Sequence, residues 1–132
     1  MDFSLNTCSS ASLAYLGDCA LEICVREYLV CERGLSSSAK LNKAALEFVT
    51  APKQAEAMKN ILDLLTEEES AVFHRGRNMG HSNVPKSATM AQYRSATGME
   101  ALFGYLHLTG QQARIEELFS LAYLQEATEE EA

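Results

Sequence analysis

The stretch Ser12 to Arg33, SLAYLGDCALEICVREYLVCER, decides the fold class. Leu13, Leu16, Ala20, Ile23 and Cys24 recur at three- and four-residue intervals, the period of an α-helix burying one stripe, and Gly34 supplies a left-handed stop. The same period runs outward through the chain. Ser38 is placed to cap a second helix carrying Leu41, Ala44, Ala45 and Phe48. Thr50 and Pro52 open a third, with Ala55, Met58, Ile61, Leu62 and Leu65 on its apolar face. Thr66 and Glu69 form a capping box for a short fourth helix to about Arg75. From Gly76 to Lys86 turn formers dominate, and the segment reads as a basic loop. Helical period resumes near Ser87, bends about Gly98 and reaches Leu108, and a last helix runs from Gln111 to about Glu126. No run alternates as a strand does, so the predicted fold is all-α, one compact helical domain over residues 1–132, with 126–132 an acidic tail expected to be disordered.

With 132 residues, 47% hydrophobic and 22% charged, two prolines and seven glycines, the composition excludes a chain that is disordered or low in complexity as a whole. Charged residues interrupt every apolar run well short of the roughly 20 residues of a membrane span, and residues 1–7 lack the pattern of a signal peptide. A cytoplasmic protein without a membrane partner is expected. Cys8, Cys19, Cys24 and Cys31 lack zinc spacing and are expected to be reduced and buried.

The net charge of -7 is a poor average for a protein that meets phosphate, but it conceals a segregation. The thirty residues between Glu69 and Glu100 contain no Asp or Glu; Arg75, Arg77, Lys86 and Arg94 make this window +4 and leave the rest at -11. His74 and His81 lie in the same window, and Lys40 and Lys43 stand in a second acid-free stretch. An anion-binding surface competes here with a merely solvated face.

Two carboxylates stand where apolar residues belong. On a helical wheel Asp18 has Ala14, Leu21, Val25 and Leu29 close by, and Glu100 has Ala96, Phe103, Gly104 and His107. An ionised carboxylate on such a flank needs a cation, hydrogen bonds or a metal ion. Gly17 beside Asp18, and Gly98 and Gly104 around Glu100, suggest that two helix backbones approach closely and carry the carboxylates together. Such a pair suits a hard cation, Mg²⁺ or Mn²⁺. Glu22 could join through water, although Arg26 four residues on is its natural ion-pair partner. Tyr15, Tyr28, Tyr93 and Tyr105 are expected in the core rather than as stacking platforms.

Three segments together resemble the Mini-ribonuclease III family, a ribonuclease III catalytic domain without the appended double-stranded-RNA-binding domain. They are Leu13-Ala-Tyr-Leu-Gly-Asp18-Cys-Ala-Leu-Glu22, His74-Arg-Gly-Arg-Asn78 and Tyr93-Arg-Ser-Ala-Thr-Gly-Met-Glu100-Ala-Leu-Phe-Gly-Tyr105, and the resemblance extends from about Ser12 to Phe119. It implies an all-helical homodimer that hydrolyses double-stranded RNA with Mg²⁺, which Mn²⁺ can replace, in maturation of large-subunit ribosomal precursor RNA. Asp18 and Glu100 match the family's catalytic, metal-holding carboxylates. Two further carboxylate positions of ribonuclease III domains in general are Ala14 and Thr97 here, a reduction expected of the Mini subfamily.

The combined expectation is an endoribonuclease leaving 5′-phosphate and 3′-hydroxyl ends. Asp18 and Glu100 hold the metal, Glu22 stands behind them, and Arg75, Arg77, Asn78, Lys86 and Arg94 contact RNA. A catalytically silent helical module that binds RNA or protein is the alternative that the missing carboxylates keep open. A helical nucleotide phosphohydrolase is disfavoured because no His-Asp doublet occurs.

Overall fold

The computed structural model describes residues 7–79 and 86–125. They form six α-helices, with no strand among the described residues: α1 (Ser10–Glu27), α2 (Ser38–Val49), α3 (Ala51–Ile61), α4 (Glu67–Arg77), α5 (Met90–Leu108) and α6 (Gln112–Tyr123). A π-helical turn, Tyr28–Glu32, extends α1, and Gly34 follows with a φ of 63°, as the left-handed stop requires.

Local chemistry explains the helix starts. Ser9 caps α1 and Ser37 caps α2, the latter one residue earlier than expected because it is Ser37 that is extended and accepts from the Lys40 amide at 3.2 Å. Pro52 lies in the first turn of α3, where its missing donor is harmless. Thr66 and Glu69 make both bonds of the capping box of α4. Thr89 and Gln92 make another at the start of α5, so that helix begins at Met90 and not near Ser87.

Helix α5 is the axis of the domain and packs against α1, α3, α4 and α6. Residues 101 to 106 are all buried, as expected of a helix surrounded on every side. Each fully buried Leu or Phe here, such as Leu102, Phe103 and Leu106, contributes about 1.5–3 kcal/mol through removal from water. Buried Glu69 ties α4 to α6 through paired hydrogen bonds from Arg114 at 2.8 and 2.9 Å.

The α1–α5 contact decides where the carboxylates fall. A Cβ on Gly17 would overlap the Glu100 carbonyl, and one on Gly104 the Leu13 carbonyl. Only glycine permits this approach. The buried stripe of α1 is Leu13, Ala14, Gly17, Leu21 and Val25, rotated from the expected one, and Ile23 is 55% exposed. The face near Asp18 is thus the core face.

Gly76 and Gly98 act differently from their sequence reading. Gly76 is a buried residue within α4, and a Cβ there would stand 2.8 Å from that of Ala101. A Cβ on Gly98 would stand 2.8 Å from the Phe73 ring, and α5 runs through this position as one element. Both glycines are packing positions rather than a turn former and a bend. Cys19 and Cys31 are exposed and only Cys8 and Cys24 partly covered, because α1 turns a face to solvent; all four are free thiols. Tyr15 is 85% exposed, contrary to expectation, whereas Tyr105 is buried and Tyr28 packs on Phe48 and Phe119. No helix among the described residues is long and apolar enough to cross a membrane.

Candidate active site

Asp18 and Glu100 line one cleft of about 240 Å³ together with Ala11, Ala14, Tyr15, Met79, Tyr93 and Thr97. Three elements meet there: the solvent edge of α1, Met79 two residues past the end of α4, and α5 from Tyr93 to Glu100. The close approach at Gly17 sets the turn bearing Asp18 against the turn bearing Glu100. Ala14 and Thr97, where ribonuclease III domains in general carry further carboxylates, line the same cleft. The Thr97 hydroxyl donates to the Tyr93 carbonyl at 3.0 Å.

Electrostatically the two carboxylates are poorly compensated. Burial, and then the charge of Asp18, push the Glu100 carboxyl up to about 7, opposed by a hydrogen bond from the side chain of Gln54. Asp18 is exposed at the rim, yet its carboxyl is also raised, first by partial loss of solvent and then by Glu22. The Glu100 charge also reaches Tyr123, whose hydroxyl burial and that charge push up.

Glu22 is not among the residues that line the cleft. It accepts from Arg26 at 2.9 Å on the helix surface, so its effect on Asp18 is that of a neighbouring charge. Among the described residues no third Asp, Glu, His or Cys completes a three-ligand set. The donors present are two carboxylates without a thiol or imidazole, which fits Mg²⁺, an ion held by one or two carboxylates while water and substrate phosphate fill its remaining positions.

The basic residues do not line this cleft but lie near its lining residues in the chain. Arg75 and Arg77 lie exposed in the last turn of α4, not in a loop, two to four residues before cleft-lining Met79. Arg94 is exposed on α5 beside cleft-lining Tyr93, and Lys86 is exposed as the chain returns toward α5. Ion pairs among the described residues fall on Arg26, Arg33 and Arg114, and none neutralises these four. Asn78 caps α4, its side chain 3.5 Å from Arg77. His74 and His107 are exposed; His81 and most of the expected basic loop lie outside the described residues.

Gln54 is the contributor that sequence reading missed. It falls on the buried face of α3, four residues before Met58 and seven before Ile61, and a polar residue within that apolar stripe was the available signal. A larger cavity of about 620 Å³, between α2, α3 and α6, shares no lining residue with the carboxylate cleft.

Comparison with known proteins agrees with this geometry. Residues 11–111 match the Ribonuclease III domain family. The chain is 44% identical to the Mini-ribonuclease 3 of Enterococcus faecalis over 111 residues, covering 83% of each chain. It is 45% identical to that of Symbiobacterium thermophilum over 111 residues, 84% of this chain and 85% of the relative. A crystal structure of a Fusobacterium nucleatum protein superposes with a TM-score of 0.82 at 27% identity, covering 92% of this chain and 98% of that one. With a glycine-locked carboxylate pair inside the matched region, the chain belongs to the Mini-ribonuclease III family of ribonuclease III domains.

Proposed function

We propose that this protein is a divalent-metal-dependent endoribonuclease that cleaves double-stranded RNA, in the maturation of large-subunit ribosomal precursor RNA. The single observation that carries the reading is the meeting of Asp18 and Glu100 in one cleft. Family membership supports the reaction class, and the ribosomal substrate rests on the resemblance.

Asp18 and Glu100 would hold the ion through their carboxylate oxygens. When bound, Mg²⁺, or Mn²⁺ in its place, supplies Lewis-acid polarisation of the scissile phosphate and an acidified water. Arg75, Arg77, Lys86 and Arg94 hold phosphates and place the duplex without reading its sequence, while Asn78 offers an uncharged polar contact beside them. A-form RNA hides its major groove, so recognition rests on shape, backbone and 2′-hydroxyls. Water attacks phosphorus in line, the 3′ oxygen leaves, and the products carry 5′-phosphate and 3′-hydroxyl ends. No side chain of the cleft is needed as a nucleophile.

A homodimer supplies one site for each strand. Its interface is the outer face of α1 and the turn after it, where Tyr15, Ile23 and Val30 are 85%, 55% and 53% exposed. Tyr15 also lines the cleft, which supports an active site at the edge of that interface. Such a protein works in the cytoplasm, without a membrane.

The test is incubation of purified protein with long duplex RNA, with and without Mg²⁺, followed by end analysis. Metal-dependent cuts in both strands with 5′-phosphate and 3′-hydroxyl ends are expected. RNA binding without cleavage under any divalent ion would favour the silent module.

A further inference from the structure

Three polar residues are enclosed among the described residues, Gln54, Glu69 and Thr97, and of these Thr97 alone lines the carboxylate cleft. It stands on α5 one turn before Glu100, at the spacing that puts two side chains on one helix face. Two contacts fix it in place. The Thr97 hydroxyl donates to the Tyr93 carbonyl at 3.0 Å. Gly76 of α4 packs against the same turn, where an added Cβ would stand 3.4 Å from the Thr97 carbonyl. A threonine hydroxyl carries one hydrogen and two lone pairs, and this hydrogen is already committed. What Thr97 offers the cleft is therefore an acceptor without charge. The fold gains little from it, because a hydroxyl bonded back to the carbonyl four residues earlier slightly destabilises a helix, and valine would fill the same space.

We propose that Thr97 is a positioning residue for the hydrolytic water: its hydroxyl oxygen accepts a hydrogen bond from a water on the cation held by Asp18 and Glu100, and so turns a lone pair of that water toward the scissile phosphorus. The inference rests on the reading of Asp18 and Glu100 as a cation site. The choice of side chain follows from charge and capacity. A carboxylate at this position would also accept, but it would draw the ion to itself. An aliphatic side chain would leave the water free to turn. In the reaction the water oxygen bonds to phosphorus as the bond to the 3′ oxygen breaks, one water proton passes to solvent, and the 3′ oxygen takes a proton from solvent. Thr97 itself neither takes nor gives one. Groups that orient the ligands of a metal in this way typically alter metal affinity or activity about 10- to 100-fold when replaced.

The experiment compares Thr97→Val, which keeps the shape and removes the acceptor, with Thr97→Ser, which keeps the acceptor. Mn²⁺ alone is the probe in the RNA-free protein, its binding followed by electron paramagnetic resonance. Thr97→Val should weaken Mn²⁺ binding by about tenfold and slow single-turnover cleavage at saturating RNA and Mg²⁺ by about tenfold. Duplex RNA affinity without metal should stay unchanged. Thr97→Ser should retain most of both the Mn²⁺ affinity and the rate, a rescue that a merely packing role would not give. Thr97→Ala stands in if Thr97→Val does not fold. Unaltered Mn²⁺ affinity or unaltered rate in the folded variant, equal losses in Thr97→Ser, or failure of both Thr97→Val and Thr97→Ala to fold would assign Thr97 to packing and overturn the proposal. Absence of Mn²⁺ binding in the unsubstituted protein would overturn the metal reading itself, and this inference with it.

Discussion

Replacing Glu100 by glutamine should stabilise the metal-free protein, in a pH-dependent way that reports on how the site is built. Burial and the nearby Asp18 move the Glu100 carboxyl from 4.5 in a free chain to about 7 in the fold. Below pH 4.5 the group is protonated in both states and costs nothing. Between that value and 7 the unfolded chain ionises while the fold resists, so stability falls by about 1.4 kcal/mol per pH unit. Above 7 the loss levels off at about 3 kcal/mol. Glu100→Gln removes this cost while keeping shape, and its advantage should grow from near zero at pH 4 to about 3 kcal/mol at pH 8, roughly 10 °C in melting temperature. Thermal and urea unfolding in excess chelator, at pH values from 4 to 8.5, provide the assay. Asp18→Asn should reproduce only part of the gain, since burial is the larger cause of the shift. Adding Mg²⁺ should stabilise the unsubstituted protein and not the variant. A difference between variant and parent that is constant across pH would refute the reasoning.

Three further outcomes are expected. Gly104→Ala should cost at least about 3 kcal/mol by urea unfolding and abolish cleavage, because its Cβ meets the Leu13 backbone rather than a movable side chain. Replacing Arg75 and Arg77 together by alanine should weaken binding to all duplex RNAs alike and reduce the slope of log affinity against log salt by between one and two, at roughly 0.7 to 0.9 per lost contact; an unaltered slope would move the docking face toward Lys40 and Lys43. Ile23→Glu with Val30→Glu should convert a particle sedimenting near twice 14.5 kDa into a monomer, measured by analytical ultracentrifugation, with helix content retained.

Helical periodicity, the Thr66–Glu69 capping box and the stop at Gly34 were readable because each rests on neighbours a few residues apart. The pairing of Asp18 with Glu100 was readable for an unusual reason: helix glycines cost stability, so Gly17 and Gly104 announced a backbone contact 87 residues apart in the chain. The same signal misled at Gly76, where a glycine followed by turn formers looks like the first residue of a loop and only the opposing Ala101 shows that it packs. The buried stripe of α1 was misplaced because Ile23 and Cys24 are as apolar as Leu21 and Val25, and composition alone does not say which apolar face meets the core. Gln54 lies 46 residues from Glu100, with no local motif linking them; its effect on that carboxyl depends on α3 packing against α5.

The most direct test of the metal-dependent carboxylate pair is single-turnover cleavage of duplex RNA by Asp18→Asn and Glu100→Gln beside the unsubstituted protein, with RNA affinity measured in parallel. Both variants should bind duplex RNA nearly as well as the parent, since neither carboxylate attracts phosphate, and each should lose cleavage by at least about a thousandfold, a loss of about 4 kcal/mol in transition-state stabilisation. Retention of Mg²⁺-dependent cleavage in both variants would contradict the assignment of Asp18 and Glu100 as the reacting centre.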